Sequence, residues 1–364
     1  MPASPLFQPL DFARGPSMAN RIALSPMTTD MARPDGVVGD EERHWIAMRA
    51  RGGFGHLMTS ASYVQPSGKG GAGQTGIWSD DHVHGLAALA RAIHDEGAVA
   101  TLQLHHAGIR AAKRSVPVPV GASADADTGA RALDTGEVEQ LVRDFVEGAR
   151  RAERAGFDGV ELHGAHGYLL AQFLSSAINH RDDHYGGSLE NRARLIREII
   201  AGVRRACRPD FQLGLRLSPE RFGMRMAEMR ELAAQLMHEG ALDWLDLSLW
   251  DARKPADEPG FANRRLVDCF TDLPRGSTRL GVAGKVTTPR IAAELLAAGV
   301  DFVFVGRTAI LHHDWALRAR DPDFTPVALP VTEDYLAAEG LGPRFIRYMH
   351  TFDGILPRRE AASS

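Results

Sequence analysis

Two histidines lie three residues apart at His163 and His166, and two more are adjacent at His105 and His106. Imidazole nitrogen is a common zinc ligand, and hydrolases built on barrels bind metals through histidines at the ends of strands. The neighbouring residues favour this chemistry only weakly, because they include neither an accompanying glutamate motif nor paired cysteines. We therefore expect no bound metal and keep a metal-dependent barrel hydrolase as the alternative interpretation.

A glycine-rich segment, Gly68-Lys69-Gly70-Gly71-Ala72-Gly73, has the spacing of a dinucleotide-binding fingerprint. In that fingerprint the glycine turn opens directly into a helix, which binds the pyrophosphate at its first N–H groups. Here the glycines are followed by the segment Gln-Thr-Gly-Ile-Trp-Ser, which is typical of a loop. We therefore interpret residues 68–73 as a flexible loop.

The elements that must position these side chains alternate between short apolar runs and longer segments of helical period. This alternation indicates parallel strands joined by crossover helices. Eight strands can be counted, and eight fit a closed (β/α)8 barrel of the TIM type better than an open doubly wound sheet. The predicted strands are Arg21–Ser25, His56–Tyr63, Val99–Leu104, Gly159–His163, Gln212–Leu217, Trp244–Leu249, Arg279–Val282 and Phe302–Val305.

The clearest predicted helix is Val138–Ala155, where apolar residues form one stripe and Thr135 or Asp134 caps the start. Two connections, Gly108–Leu133 and Asp251–Ser277, are longer than ordinary loops of an α/β fold, and such loops usually cover the active site of a barrel. No linker or internal repeat is evident. We predict that residues 1–364 form a single domain, with a C-terminal tail from about residue 320.

The composition is that of an ordinary globular protein, with 44% hydrophobic and 24% charged residues. A net charge of −4 gives no basic footprint for a nucleic-acid partner. Cys207 and Cys269 are too few for a disulfide framework or an iron–sulfur cluster and suit a reducing cytoplasm. No signal peptide is evident, and no apolar run approaches the roughly 20 residues that span a bilayer. We expect a cytoplasmic protein without a membrane partner.

Active sites of (β/α)8 barrels lie at the carboxyl ends of the strands, and several polar residues follow the predicted strands there. The candidates are Ser25, Pro26, Met27 and Thr28 after the first strand, Gln103 and His105 at the third, His163, His166 and Tyr168 at the fourth, Arg216 at the fifth, and Gly306 and Arg307 at the eighth.

These candidates lie in segments that occur in the same order in a known family. The segments are SPMTT, TLQLHHAG, VELHGAHGYLLAQFLSSAINHRDDHYGGSLENRARL, LGLRLSPERF and FVFVGR. From about Leu6 to His312, the chain resembles the Old Yellow Enzyme family, and the paired histidines place it nearer the bacterial branch. The resemblance implies an FMN-dependent ene-reductase that takes hydride from NADPH or NADH.

The resemblance also implies a set of flavin contacts. Gln103 occupies the position of the amide that binds the pyrimidine edge of the ring, and Arg216 that of the guanidinium that stabilises reduced flavin. Thr28 would place its hydroxyl at flavin O4. Without the resemblance, Gln103 could equally bond the backbone, and Arg216 could form a structural ion pair. Ring contacts through backbone and small side chains are expected from Ser25, Pro26, Met27 and Ala61.

The phosphate of FMN is expected at the seventh and eighth strands, where the family pattern matches Gly284, Gly306 and Arg307. Glycines allow close backbone approach, and an arginine adds a bidentate charge. By propensity alone, a glycine in such a place more often serves only a turn. The position of both glycines in the last two strands favours the phosphate interpretation.

For the substrate, the resemblance implies that His163 and His166 bind the carbonyl or nitro oxygen of an activated alkene. Hydride arriving at Cβ pushes negative charge onto that oxygen, which preorganised donors stabilise. Tyr168 would then protonate Cα as a general acid. The expected substrates are enones, enals, maleimides and nitroalkenes, reduced by a ping-pong mechanism.

The chain departs from the family at several positions. Thr28 replaces a cysteine of the bacterial branch, and Asp30 replaces a tyrosine found in some members. His105 stands where relatives have alanine or tryptophan, and we expect it either to face the substrate or to bond a neighbouring loop. Some relatives insert a C-terminal arginine and aromatic residue into a neighbouring subunit. Residues 342–348 are not assigned that role, and a homo-oligomer, dimer or tetramer, stays open.

Overall fold

Eight parallel strands close into a barrel in the computed structural model, which describes residues 4–357. Each strand pairs in parallel with the next, and the eighth pairs with the first, so the ring has no free edge. The predicted (β/α)8 barrel is confirmed. The strands are β1 (Ile22–Leu24), β2 (His56–Met58), β3 (Val99–His105), β4 (Gly159–Gly164), β5 (Gln212–Leu217), β6 (Trp244–Ser248), β7 (Arg279–Ala283) and β8 (Phe302–Val305).

The second strand is shorter than the sequence predicts, since β2 ends at Met58 and Ser62–Tyr63 forms a separate two-residue strand beside β3. Between the two strands, the Ser60 hydroxyl donates to the buried carboxyl group of Glu42. The prediction of one continuous strand over His56–Tyr63 was wrong at residues 59–61, which interrupt it.

Helices connect the strands around the outside of the barrel. Asp134 is the N-cap of the longest helix, and its carboxylate accepts the N–H of Glu137 while the Glu137 side chain accepts the N–H of Asp134. This capping box starts the helix three residues before the predicted Val138. The helices are α1 (Asp40–Arg51), α2 (Val83–His94), α3 (Thr135–Arg154), α4 (Leu169–Leu174), α5 (Leu189–Ala206), α6 (Met226–His238), α7 (Asp268–Thr271), α8 (Pro289–Ala297), α9 (Arg307–Leu311), α10 (Trp315–Arg318), α11 (Glu333–Ala338) and α12 (Pro343–Met349).

Aromatic residues fill the amino-terminal end of the barrel. His56, Trp244 and Phe302 begin three of the strands, and Phe12 from the N-terminal segment packs on all three with ring centroids 5.7–6.4 Å apart. A packed lower layer is normal for this fold. The polar residues of the barrel interior therefore lie toward the carboxyl end of the strands.

Residues beyond 320 fold back against the barrel. In α12, Phe345 packs edge-on against Trp45 of α1 with centroids 5.7 Å apart, and Arg344 donates to the backbone carbonyl of Ala32 at 2.9 Å. The predicted tail thus covers the loop after β1. We interpret the chain as one domain for this reason. None of the helices within residues 4–357 has both the length and the apolar character needed to cross a membrane.

Candidate active site

Two predicted flavin contacts lie inside the barrel, above the aromatic layer. Gln103 and Arg216 are almost fully buried on β3 and β5. The Nε of Arg216 lies 2.9 Å from Oδ2 of Asp246 on β6, and Nη2 donates to the Ser25 hydroxyl at 3.2 Å. The ion pair that we kept as an alternative for Arg216 therefore exists, and it also fixes the guanidinium at the height of Ser25.

Two buried acids accompany these residues, and the sequence analysis did not identify either. Glu161 on β4 accepts hydrogen bonds from Nε2 of Gln103 at 2.8 Å and Nε1 of Trp244 at 2.9 Å. Burial raises the pKa of Glu161, and the nearby charge of Asp246 raises it further; burial also raises the pKa of Asp246. The sequence does contain one signal for these acids: each is a carboxylate between apolar residues of a predicted strand, Glu161 in β4 and Asp246 in β6.

His163 and His166 form a hydrogen-bonded pair at the end of β4. The N–H of Ala165 donates to Nδ1 of His163, so the neutral ring carries its proton on Nε2 and donates it to Nδ1 of His166 at 3.3 Å. Nε2 of His166 then donates to the Ser248 hydroxyl at 2.7 Å. This chain of bonds sets the tautomer of both rings.

The backbone holds His166 in an unusual conformation. Its φ angle is +59°, which is uncommon for a residue other than glycine, and its N–H donates to the Ser218 hydroxyl at 3.0 Å. Burial lowers the pKa of His166 to about 3, and burial together with neighbouring charges lowers that of His163 well below its usual value. Both rings are therefore neutral at pH 7 and act as hydrogen-bonding groups without a charge.

Tyr168 lies beside the histidine pair. Its ring is 5.1 Å from that of His163, 4.4 Å from that of His105, and 5.2 Å from the guanidinium of Arg110. His105 is buried, and its Nδ1 has no hydrogen-bond partner among the residues that the structure describes. The structure thus brings together the four candidate substrate-binding residues, His105, His163, His166 and Tyr168.

The segment after β1 carries Thr28, which is exposed, and Asp30, whose Oδ1 accepts the N–H of Gly73 at 2.7 Å. The glycine-rich loop therefore packs against the site; a side chain at Gly68 would collide with His106. No α-helix directly follows residues 68–73, which agrees with a loop.

Tyr348 of α12 is a further residue at this site that the sequence analysis did not identify. Burial raises the pKa of its hydroxyl, while the nearby Thr28 side chain lowers it. Tyr348 ends the segment 342–348, to which the sequence alone assigns no role. No local pattern reveals this contact, because it joins opposite ends of the chain.

The predicted phosphate residues lie on adjacent strands. Gly284 follows β7, where a Cβ atom would lie 2.7 Å from the backbone nitrogen of Ala252. Gly306 follows β8 and caps α9, and a Cβ there would face Ser25 and Met27 at 3.7 and 3.9 Å. Arg307 is exposed to solvent. A side chain at Gly284 would therefore collide with the backbone of Ala252, whereas Gly306 has room for a Cβ in ordinary contact.

The remaining predicted ring contacts follow the first two strands. Pro26 is buried, Met27 is half-buried, and the backbone carbonyl of Ala61 accepts a hydrogen bond from Gln74 at 2.9 Å. As for a metal, residues 4–357 contain no group of three or more His, Cys, Asp or Glu side chains arranged to hold one.

Residues 5–322 of the chain match the NADH:flavin oxidoreductase / NADH oxidase family. The chain belongs to this family. The Bacillus subtilis protein named "Probable NADH-dependent flavin oxidoreductase YqiG" is 36% identical over 329 residues, which cover 87% of this chain and 88% of the relative. The NADPH dehydrogenase of Halalkalibacterium halodurans is 34% identical over 313 residues, which cover 84% of this chain and 91% of the relative.

Solved structures of the family have the same fold. Morphinone reductase in complex with tetrahydroNAD is 30% identical, with a TM-score of 0.78 over 91% of this chain and 93% of that one. An Old Yellow Enzyme homologue from Zymomonas mobilis is 28% identical, with a TM-score of 0.79 over 91% of this chain and 96% of that one. The resemblance to the Old Yellow Enzyme family is confirmed. The protein is a flavin-dependent NAD(P)H oxidoreductase, and its cofactors are FMN and a nicotinamide nucleotide.

The side chains in the barrel fit the flavin of this family. An isoalloxazine offers an imide edge and gains negative charge when reduced. Gln103 has one carbonyl oxygen and one N–H left after its bond to Glu161, and Arg216 supplies a fixed positive charge. The polar groups present are therefore those that the ring requires.

Proposed function

We propose that this flavin oxidoreductase is an ene-reductase that reduces activated C=C bonds in small enones, enals, maleimides and nitroalkenes. NADPH or NADH supplies the hydride, and the two substrates use one site in turn, which gives ping-pong kinetics. The observation that carries the proposal is the neutral pair His163 and His166 next to Tyr168, above a buried amide and guanidinium.

Several residues would hold the cofactor. Gln103, Arg216 and Thr28 would bind the ring by side chains, and Ser25, Pro26, Met27 and Ala61 mainly by backbone and shape. Gly284, Gly306 and Arg307 would bind the phosphate. When bound, the flavin supplies a centre that accepts hydride from the nicotinamide and later donates it to the substrate.

The histidine pair would hold the acceptor oxygen of the substrate. Neutral imidazoles donate hydrogen bonds without the repulsion that two charged rings would suffer, and they stabilise the charge that develops on that oxygen. Binding an oxygen between the rings requires Nδ1 of His166 to become a donor, which its bond to Ser248 allows, because a hydroxyl both donates and accepts.

Tyr168 would deliver the proton to carbon. Its ring packs against both His163 and His105, which leaves few orientations for the hydroxyl. His105 would contact the substrate from the same side. The tetrahydroNAD complex of morphinone reductase supports nicotinamide binding on this same barrel fold in a relative.

Anaerobic spectroscopy of the purified protein tests the proposal. We expect one non-covalent FMN per chain, bleaching of its visible absorption by NADPH or NADH, and return of that absorption on addition of cyclohexenone. Product analysis should show the saturated ketone. Flavin that bleaches but is reoxidised only by oxygen would contradict the ene-reductase assignment, and a protein without flavin would contradict the cofactor.

A further inference from the structure

A buried chain of hydrogen bonds in the barrel joins Gln103, Glu161 and Trp244. All three side chains are at most 1% exposed and lie on β3, β4 and β6. Gly214 of β5, which pairs with Glu161 across the sheet, has no side chain, and a Cβ there would overlap the Trp244 indole. This space allows the indole to cross β5 and reach the carboxyl group.

Glu161 receives a donor on each oxygen. Nε2 of Gln103 donates to Oε1 at 2.8 Å, and Nε1 of Trp244 donates to Oε2 at 2.9 Å. An indole N–H can only donate, so Oε2 is committed to Trp244. A carboxylate has no N–H to offer, so Oε1 faces the amide nitrogen of Gln103 and the amide cannot turn over.

The fixed amide matters because the two ends of an amide differ. With Nε2 held by Glu161, Gln103 presents its carbonyl oxygen and its second N–H to a ligand as one acceptor beside one donor. The imide edge of a flavin ring offers the complementary pair, an N–H beside a carbonyl oxygen. A reversed amide would place like groups opposite each other.

We propose that Glu161 is a positioning residue for the cofactor: held by Trp244, it sets the orientation of the Gln103 amide and so selects the imide edge of the flavin. This inference rests on the proposed FMN contact of Gln103. It applies to the ionised carboxylate, whose oxygens only accept, and the guanidinium of Arg216 and the donors Trp244 and Gln103 favour that form.

Glu161→Gln is the decisive variant, because it keeps the size of the side chain but offers one acceptor to two donors. Because an indole N–H only donates, the new amide turns its oxygen toward Trp244 and its nitrogen toward Gln103, and Gln103 reverses. We expect FMN to bind about 10- to 100-fold more weakly, the effect of one unpaired buried group. Quenching of FMN fluorescence on titration with apoprotein measures the dissociation constant.

The double variant Trp244→Phe/Glu161→Gln gives a specific rescue. Without the indole donor, the amide at position 161 can turn its nitrogen toward the phenyl ring and its oxygen toward Gln103. We expect its FMN affinity to lie within about threefold of that of Trp244→Phe alone, a coupling that independent sites would not show. A merely structural role for Glu161 predicts that the two losses add.

Selectivity for the flavin edge provides a measurement that does not depend on stability. FMN methylated at N3 lacks the imide N–H, so wild type should bind it about 10- to 100-fold more weakly than FMN. In Glu161→Gln this ratio should approach one. If Glu161→Gln fails to fold, Glu161→Asp, whose shorter carboxylate cannot reach both donors, should reduce the same ratio.

Thr101→Val is the matched control. Thr101 is buried on β3 two residues before Gln103, and its hydroxyl bonds only to His56 among the described residues, at 2.7 Å. It should lower the free energy of unfolding and leave both the FMN affinity and the selectivity ratio unchanged. Wild-type selectivity retained in Glu161→Gln or in Glu161→Asp would overturn the inference while leaving the proposed function intact. A wild-type protein that binds no FMN would overturn both.

Discussion

The hydroxyl of Ser248 can bond to either tautomer of His166, because it can accept from Nε2 or donate to it. In the structure it accepts from Nε2 at 2.7 Å, and it must donate to Nε2 when Nδ1 of His166 donates to a substrate oxygen. Ser248 therefore contacts His166 and, in this mechanism, neither the substrate oxygen nor the flavin. Its role is to lower the free-energy cost of the tautomer change in His166.

Ser248→Ala should weaken ligand binding by His166 because Nε2 would then be left without a partner in the binding tautomer. We expect phenolic ligands to bind the histidine pair through their oxygen and to lose about 1 kcal/mol, or roughly fivefold in affinity, in this variant. The change in flavin absorption on titration measures this. Ser248→Thr keeps the hydroxyl and should restore binding; equal affinities in alanine and wild-type proteins would remove Ser248 from the mechanism.

Tyr168 separates the two half-reactions. Hydride transfer from NAD(P)H to flavin places no proton on carbon, so Tyr168→Phe should leave the rate of flavin bleaching within a few fold of wild type. Reoxidation by an enone needs the proton and should slow by about 10²- to 10⁴-fold, the usual contribution of a general acid.

Stopped-flow absorbance at the flavin maximum measures both steps of the Tyr168→Phe experiment separately. Nitroalkenes serve as an internal control, because hydride addition gives a stabilised nitronate that water can protonate later. Equal slowing of both half-reactions would show that Tyr168 positions the flavin or the ligand. No slowing of either would assign the proton to another group, with His105 in ring contact with Tyr168.

At the scale of elements, α12 brings Tyr348 to Thr28 from the far end of the chain. If Thr28 lies at flavin O4, we expect the neighbouring Tyr348 hydroxyl to bond the Thr28 hydroxyl and to set its direction. Tyr348→Phe should therefore shift the flavin reduction potential in the same direction as Thr28→Val. The double variant should add no further shift, because both changes remove one interaction.

Potentials for these variants can be measured by equilibration with a reference dye. Tyr335→Phe is the matched control: it removes a tyrosine hydroxyl from the neighbouring helix α11, where that group donates to the carbonyl of Leu311 at 2.8 Å. The control should leave the potential unchanged. Additive shifts from Tyr348→Phe and Thr28→Val would show that the two hydroxyls act separately.

The sequence predicts the features that depend on neighbouring residues and misses those that depend on partners far apart in the chain. Strands β5 and β8 have the predicted bounds, because an apolar run in a buried parallel strand ends where burial ends. The break after β2 was not predicted, and Ser60 in that break bonds to Glu42 of α1, a distant partner that periodicity cannot reveal. The sequence did not identify Glu161 and Asp246 for a related reason. A buried acid can be recognised only when its partners are known, which are the donors Gln103 and Trp244 for Glu161 and the ion pair with Arg216 for Asp246.

At the scale of the whole molecule, the barrel separates a rigid lower layer from a polar upper one. His56 belongs to the lower layer, fully buried against Trp244 and bonded to Thr101. The candidate histidines His163 and His166 belong to the upper layer. Cytoplasmic location and a dimer or tetramer stay predictions, and sedimentation of the purified protein would test the second.

Buried neutral histidines make stability depend on pH. Burial lowers the pKa of His56 to about 3 in the folded protein, whereas the unfolded chain takes up a proton below about 6.5. Between these pH values the unfolded state binds more protons than the folded state, so the free energy of unfolding decreases as the pH falls below about 6.5.

His56→Gln keeps a hydrogen-bonding side chain and removes the titration. Between pH 6 and pH 5, the free energy of unfolding of wild type should therefore decrease by about 1 kcal/mol more than that of the variant. Urea denaturation at the two pH values measures the difference, and parallel pH profiles for the two proteins would show that His56 is charged in the folded state or reached by water.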